Sequence, residues 1–286
     1  MGRRKGQGGF ALLLVLWGLA LVSVLFVGFA GRARTELAVA RNLTSAAKAE
    51  RLAEAGIALG ALRLLADDPA DRGPLDGSSF DLTLGEGRVR VALQDEGGKL
   101  DLNAAPEALL DGLMAAVGLG EETRRELLQG LGEWRRQRQA RLAQALGGRV
   151  VDEPDPAQPV FLAVDELRGV PGMTGEAYAR LRPFVTVQTG APTVNPWTAP
   201  LPVLRAVPGL SPADAAEILR ERSVGGGEEL PAAENFEAYL ADSGGQVVCV
   251  RAEATLPDGT RVAREALVTP GSEPDRPYLV VAWRRG

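Results

Sequence analysis

The stretch that decides the fold is MGRRKGQGGFALLLVLWGLALVSVLFVGFAGRAR, residues 1–34. Its core, Phe10 to Gly31, holds 22 residues without a single charge. As an α-helix rising 1.5 Å per residue it spans roughly 33 Å, close to the ~30 Å apolar thickness of a bilayer. Arg3, Arg4 and Lys5 stand before it, and Arg32 and Arg34 after it. The leading positives hold the extreme N-terminus in the cytoplasm, and the large remainder is expected on the other side. A secretory signal has a shorter apolar core, although Gly28-Phe29-Ala30 could serve as a cleavage site. A plain anchor accounts for the hydrophobicity but leaves the abrupt Gly8-Gly9-Phe10 junction unexplained.

The apolar segment leads into residues 32–66, rich in Ala, Leu, Arg and Glu and free of proline until Pro69. Leu37, Ala40, Leu43, Ala47, Leu52, Ala55, Leu59 and Leu62 recur at three-to-five-residue spacing. That pattern predicts one helix, half in lipid and half amphipathic, with the stripe lying on a sheet. After Pro74 the period drops to two. Phe80, Leu82 and Leu84, the turn Gly85-Glu86-Gly87, then Val89, Val91 and Leu93 read as a hairpin. Alternation resumes at Val247–Leu256 and Thr260–Val268, and Tyr278–Arg285 closes the chain.

The expected fold class is therefore α+β: a long N-terminal helix packed on an antiparallel sheet, with an inserted all-α domain. The sheet takes residues 75–102 and 241–286, and the insert 103–240. Within the insert three stretches echo one another: Val117-Gly118-Leu119-Gly120, Leu167–Leu181 around Val170-Pro171-Gly172, and Leu204–Arg222 around Val207-Pro208-Gly209. Each joins two helices through a glycine turn, with Thr174 or Ser211 placed to cap the helix that follows.

Composition restricts the chemistry. The chain has 286 residues, no His and a single Cys, Cys249. Histidine-based acid/base catalysis, triads and zinc sites are excluded, as are intramolecular disulfides and iron–sulfur clusters. Cys249 sits at an apolar position of a strand and reads as a small buried hydrophobe. No paired acids stand in a catalytic context, so the chain is not expected to be an enzyme. Net charge is −5, and without the first nine residues 29 bases face 37 acids. Such a balance does not suit nucleic acid.

The hairpins are similar to helix-hairpin-helix modules, whose turn amides often hold DNA phosphate, and a membrane-anchored DNA receptor is the alternative function. Against it, acids and arginines balance around the second and third hairpins, and Glu176 and Asp214 follow the turns directly. Hairpins used as scaffold are the simpler reading. Arg135, Arg136, Arg138 and Arg141 beside Trp134 would suit single-stranded nucleic acid, yet four arginines on a helix ordinarily form a solvated face.

A short basic leader, Gly9, Phe10 and an unbroken apolar helix resemble a type IV prepilin. Further motifs narrow the resemblance: Asp95–Pro106 (DEGGKLDLNAAP), Asp165–Thr174 (DELRGVPGMT), Val194–Pro200 (VNPWTAP), Leu204–Ser211 (LRAVPGLS) and Ala282–Arg285 (AWRR). In that order they resemble the minor pseudopilin K family of type II secretion. The resemblance implies cleavage of leader 1–9 between Gly9 and Phe10 by the prepilin peptidase, and N-methylation of Phe10. Residues 10–31 would be the transmembrane part of the helix and 32–66 its periplasmic part.

Leu14 stands where most pilins carry a Glu that pairs with a neighbouring subunit's terminal amine. A subunit with no neighbour ahead of it has no use for that buried charge, which hints at a filament tip. Implied partners are minor pseudopilins I and J, the pseudopilus with its inner-membrane assembly platform, and the bilayer; no nucleic acid is expected. The implied location is the bacterial inner membrane, single-pass, with the bulk in the periplasm. Capping or initiating the filament that drives folded proteins across the outer membrane would be its work.

Family members use calcium, and a cluster of carboxylates would be needed to hold it. Arginines occupy the place of the family's acidic stretch, Glu133-Trp134-Arg135-Arg136-Gln137-Arg138, so no cofactor is expected. Asp95, Glu96, Asp152, Glu153 and Asp155 are the remaining calcium candidates, with solvated loop charges as their ordinary reading.

Overall fold

The computed structural model describes residues 8–66, 69–145, 159–224, 236–242, 247–273 and 276–285. Helix α1, Gly8–Leu64, runs unbroken for 57 residues; it is built from good helix formers and meets no proline. After it come a single turn, α2 (Pro69–Arg72), and the hairpin β1 (Asp76–Leu84) and β2 (Gly87–Asp95). The chain returns to the sheet only at β5 (Val248–Thr255), β6 (Arg261–Glu273) and β7 (Arg276–Arg285). These five strands form one antiparallel sheet in the order β1-β2-β5-β6-β7. Gly85 (φ 58°) and Gly259 (φ 87°) supply the left-handed residues at two of its turns.

Between β2 and β5 lie helices α3 (Glu107–Ala116), α4 (Glu121–Ala145), α5 (Gly175–Leu181), α6 (Leu201–Ala206) and α7 (Pro212–Val224). The sequence pattern did not signal a second, two-stranded parallel pair here, β3 (Leu100–Asp101) with β4 (Val185–Thr186). Two residues are too short a run for any period to show. The segment has its own core, in which Phe161, Phe236, Leu109, Leu113, Leu127, Leu167, Leu204 and Ile218 are fully buried.

Helix α1 does lie on the sheet, but of the expected leucine stripe only Leu52 packs there. Ala49, Ala53, Gly56, Ile57, Gly60 and Ala61 are buried against Val89, Val91, Val250, Ala252, Ala254, Ala266 and Val268. A Cβ on Gly56 would come within 2.6 Å of Val89 Cγ1, and one on Gly60 within 2.7 Å of Val250 Cγ1. Small residues let the helix approach stiff β-branched side chains closely, and here that outweighs the larger area a leucine would bury. Leu37, Leu43, Leu59 and Leu62 are exposed instead. At about 100° per residue Leu37, Leu59 and Leu62 lie a third to half a turn from the packed face, whereas Leu43 shares the azimuth of Ala61 and is exposed N-terminal to the docked part.

The docked part of α1 is tied at both ends. Ser45 Oγ donates to Asp258 Oδ2 in the β5–β6 turn at 2.6 Å, Glu50 pairs with Arg264, and Arg63 Nε donates to the Asp71 carbonyl at 2.7 Å. N-terminal to Ser45, the side chains at 12–24, 26 and 35–44 are all exposed.

Candidate functional site

Three places carry the residues singled out by sequence: the exposed half of α1, the joint where β2 leaves the sheet, and the glycine hairpins.

Gly9 and Phe10 lie in the first turns of α1; their side chains, with those of Ala11, Leu25 and residues 27–34, lie outside the described ones. Leu14 is on the same helix and 58% exposed. Among the described residues no helix is long and apolar enough to cross a membrane. The expected span 10–31 falls partly on residues outside that set. Within the set, Leu12, Leu13, Leu14, Val15, Leu16 and Trp17 are each more than half exposed, all round the helix.

Asp95 and Glu96 do not behave as solvated loop charges: they are 1% and 0% exposed. At the end of β2 the chain makes one 3₁₀ turn, Glu96–Gly98, capped by Asp95, whose Oδ1 accepts from Gly97 N at 2.9 Å. Asp95 Oδ2 accepts from Thr198 Oγ1 at 2.9 Å and from Asn195 Nδ2 at 3.4 Å. Glu96 takes the Lys99 ammonium on one oxygen and the Thr186 hydroxyl on the other. Gly98 is required by contact, since a Cβ there would fall 2.6 Å from the Thr198 carbonyl. Asp101 accepts from Asn103 N on one oxygen, and from Thr189 N, Thr189 Oγ1 and Gly190 N on the other. Asn195 N donates to the Gly97 carbonyl at 2.7 Å.

The two motifs DEGGKLDLN and VNPWT, distant in sequence, thus form one buried polar joint between sheet and insert. Buried carboxylates with these partners are spent on orientation. Asp152, Glu153 and Asp155 lie outside the described residues. Among the described residues no group of three or more Cys, Asp or Glu is placed to hold a metal ion.

All three hairpins turn through glycine in the left-handed region: Gly118 (φ 80°), Gly172 (φ 83°) and Gly209 (φ 84°). Thr174 Oγ1 accepts from Ala177 N at 3.1 Å, while Ser211 and Asp214 cap each other reciprocally. The turns are used in packing. A Cβ on Gly112 of α3 would sit 2.2 Å from the Ala206 carbonyl oxygen, and one on Gly130 of α4 2.2 Å from that of Pro171. Arg180 donates to the Gly118 carbonyl at 3.0 Å and pairs with Glu176.

The arginine-rich helix divides. Arg136 and Arg141 are exposed, as a solvated face requires. Arg135 instead donates to the Leu102 carbonyl at 2.6 Å, and burial draws its guanidinium below the usual range. Arg138 reaches the Val160 carbonyl and Glu166 at 3.3 and 3.0 Å. Trp134 stacks on Phe161, with centroids 6.2 Å apart. Half of this set is structural, which spacing alone did not separate from its neighbours. Cys249 is buried, and desolvation pushes its thiol up to about 11.

Residues 91–190, from β2 to just past β4, match the family described as Type II secretion system (T2SS), protein K. This stretch is similar to that family over about a third of the chain. That description names a component of a secretion system. The matched span contains the buried joint from Asp95 to Asp101, the first two hairpins and the parallel pair. The fold is similar to one in the crystal structure of the GspK-GspI-GspJ complex from the enterotoxigenic Escherichia coli Type 2 Secretion System. The likeness has a TM-score of 0.51 at 17% identity, over 89% of this chain and 99% of that one. At that identity it is a likeness of fold. No curated protein matches the sequence.

Proposed function

We propose that this protein is a minor pseudopilin at the tip of the type II secretion pseudopilus, where it initiates or caps the filament with minor pseudopilins I and J. The observation that carries the reading is helix α1. Its C-terminal third is docked on the sheet through small residues, while its leucines at 37, 43, 59 and 62 and its apolar N-terminal part are exposed. A helix of this kind is half spine and half adhesive: one face belongs to its own sheet, and the rest is left for neighbouring helices or lipid. The family match over residues 91–190 supports the secretion role. The neighbour solved as a GspK-GspI-GspJ complex supports the choice of partners.

In this reading the prepilin peptidase cuts between Gly9 and Phe10, Phe10 is N-methylated, and the chain sits in the inner membrane by one pass with its bulk in the periplasm. Leu14 removes the carboxylate that would otherwise seek the terminal amine of a subunit ahead. A tip subunit has none, and a lone carboxylate there would only cost energy. No metal enters the reading, because Asp95 and Glu96 are committed to the joint.

Intact-mass measurement of the membrane-extracted chain, co-expressed with a prepilin peptidase, should find a mature protein starting at methylated Phe10. A chain starting at Met1 or at Gly31 would overturn the reading.

A further inference from the structure

Helix α1 keeps its charges apart. Ala49, Ala53, Gly56 and Gly60 face the sheet. At about 100° per residue, Leu37, Arg41, Lys48, Ala55, Leu59 and Leu62 fall on the side turned away from it, and all of them are exposed. Their spacings of three, four and seven residues are those of a seam at which one helix meets another. The ridge is aliphatic at its ends, with Leu37 at one and Leu59 and Leu62 at the other, and basic between them. Arg51, on the same side, is held by Glu54 at 2.7 Å. Arg41 and Lys48 make no ion pair among the described residues, and neither has an acid three or four positions away along the helix. The acids of this part of α1, Glu36, Glu50 and Glu54, lie on one flank, where Glu50 is taken by Arg264 and Glu54 by Arg51.

We infer that this outer ridge of α1 seats a helix from another protein, aliphatic towards its ends and carrying two carboxylates about one heptad apart between them. Charge decides between occupants. A second copy laid along the ridge with its leucine ends matched brings Lys48 against Lys48 or Arg51, whichever way it runs, and like charges set together across an interface oppose binding. A helix with acids at that place meets Arg41 and Lys48 with opposite sign, while its own aliphatic ends cover Leu37, Leu59 and Leu62. The inference concerns the outer side of α1 alone. It does not rest on the secretion reading, and it holds whether or not the incoming helix belongs to a pseudopilin.

The test uses the full chain in neutral detergent and a labelled helical peptide of alanine and glutamine, with leucines at both ends of one seam and two glutamates a heptad apart between them. The control peptide has the same composition with its glutamates moved to the opposite side. Fluorescence anisotropy should show the first peptide binding about fivefold or more tighter than the control. Lys48→Glu, on an exposed side chain, should remove that advantage. Arg41→Glu together with Lys48→Glu should transfer it to a peptide whose two glutamates are replaced by lysines, a gain that misfolding cannot produce. Equal binding of the first two peptides, no binding at about millimolar peptide, or an advantage that survives both substitutions would overturn the inference. So would a peptide-free dimer that Lys48→Glu dissolves, because the occupant would then be a second copy. Displacement of the peptide by glycerol phosphate, but not by chloride at equal ionic strength, would overturn it as well, because the ridge would then hold a lipid headgroup.

Discussion

The sheet is covered by helix α1 on one face, and joined to the insert at the end of β2 and on the adjoining part of the other face. The two contacts are made in opposite ways. On the helix side the interface is dry: Ala49, Ala53, Gly56, Ile57, Gly60 and Ala61 against valines and alanines. On the insert side it is a set of buried polar groups, with Asp95, Glu96 and Lys99 meeting Thr186, Asn195 and Thr198. Nearby on the outer face, Glu265 is shared by Arg182 and Arg251. Shape seats the middle of a helix that the chain already delivers beside β1, and polar contacts such as Ser45–Asp258 and Glu50–Arg264 hold its margin. The insert leaves and re-enters the sheet through loops, and directional hydrogen bonds give it one orientation where apolar contact would allow several.

The largest expected effect follows from the polar contact. Glu96→Ala leaves the Lys99 ammonium buried without its carboxylate, which should cost about 3–5 kcal/mol of stability. Replacing Glu96 and Lys99 together with Met should recover most of that loss, since a buried pair is often dispensable when both charges leave. Denaturant midpoints of the three proteins decide it. A cost below about 1 kcal/mol for Glu96→Ala would mean the pair behaves like a surface ion pair, and the contrast between the two contacts would fail.

A smaller effect is expected on the dry side. Gly60→Ala gains about 1 kcal/mol of helix propensity but forces a methyl 2.7 Å from Val250 Cγ1 and 3.1 Å from Val91 Cγ1. Overpacking against stiff side chains costs about 1–3 kcal/mol, so a net loss of about 1 kcal/mol should appear as a lowered midpoint. A stabilised Gly60→Ala protein would show that the helix can lift from the sheet at little cost.

The smallest effect on folding, and the sharpest on assembly, should come from the exposed part of the same helix N-terminal to its docked segment. Leu43→Ser alters an exposed side chain and should move stability by no more than about 0.5 kcal/mol. If that face meets neighbouring helices, the same substitution should reduce co-purification with minor pseudopilins I and J. Unchanged co-purification would remove Leu43 from the assembly face.

Much of the architecture is legible in the sequence because it is periodic or punctuated. The strands β1, β2, β5 and β6 follow alternation, and the hairpin turns follow Gly118, Gly172 and Gly209, which adopt the backbone conformation that glycine favours. What stayed hidden depends on partners far along the chain. Arg135 and Arg136 are adjacent and chemically identical, yet only Arg135 turns inward, because Leu102 presents a carbonyl there. Asp95 and Glu96 look like loop acids until Thr198 and Thr186, each about ninety or more residues away, arrive with hydroxyls.

The sequence by itself determined that α1 would be one long helix, that its first half would be apolar throughout, and that a strand region would be interrupted by helical hairpins. Those are properties of consecutive residues, set by propensity and spacing. Only the tertiary structure decided which side of α1 faces the sheet. The leucine stripe is the stronger hydrophobic signal, but Gly56 and Gly60 fit under Val89 and Val250 where a leucine could not. Helix and sheet are held by the closeness of approach, which the small residues permit, and Leu37, Leu43, Leu59 and Leu62 are left outward for whatever the helix meets next.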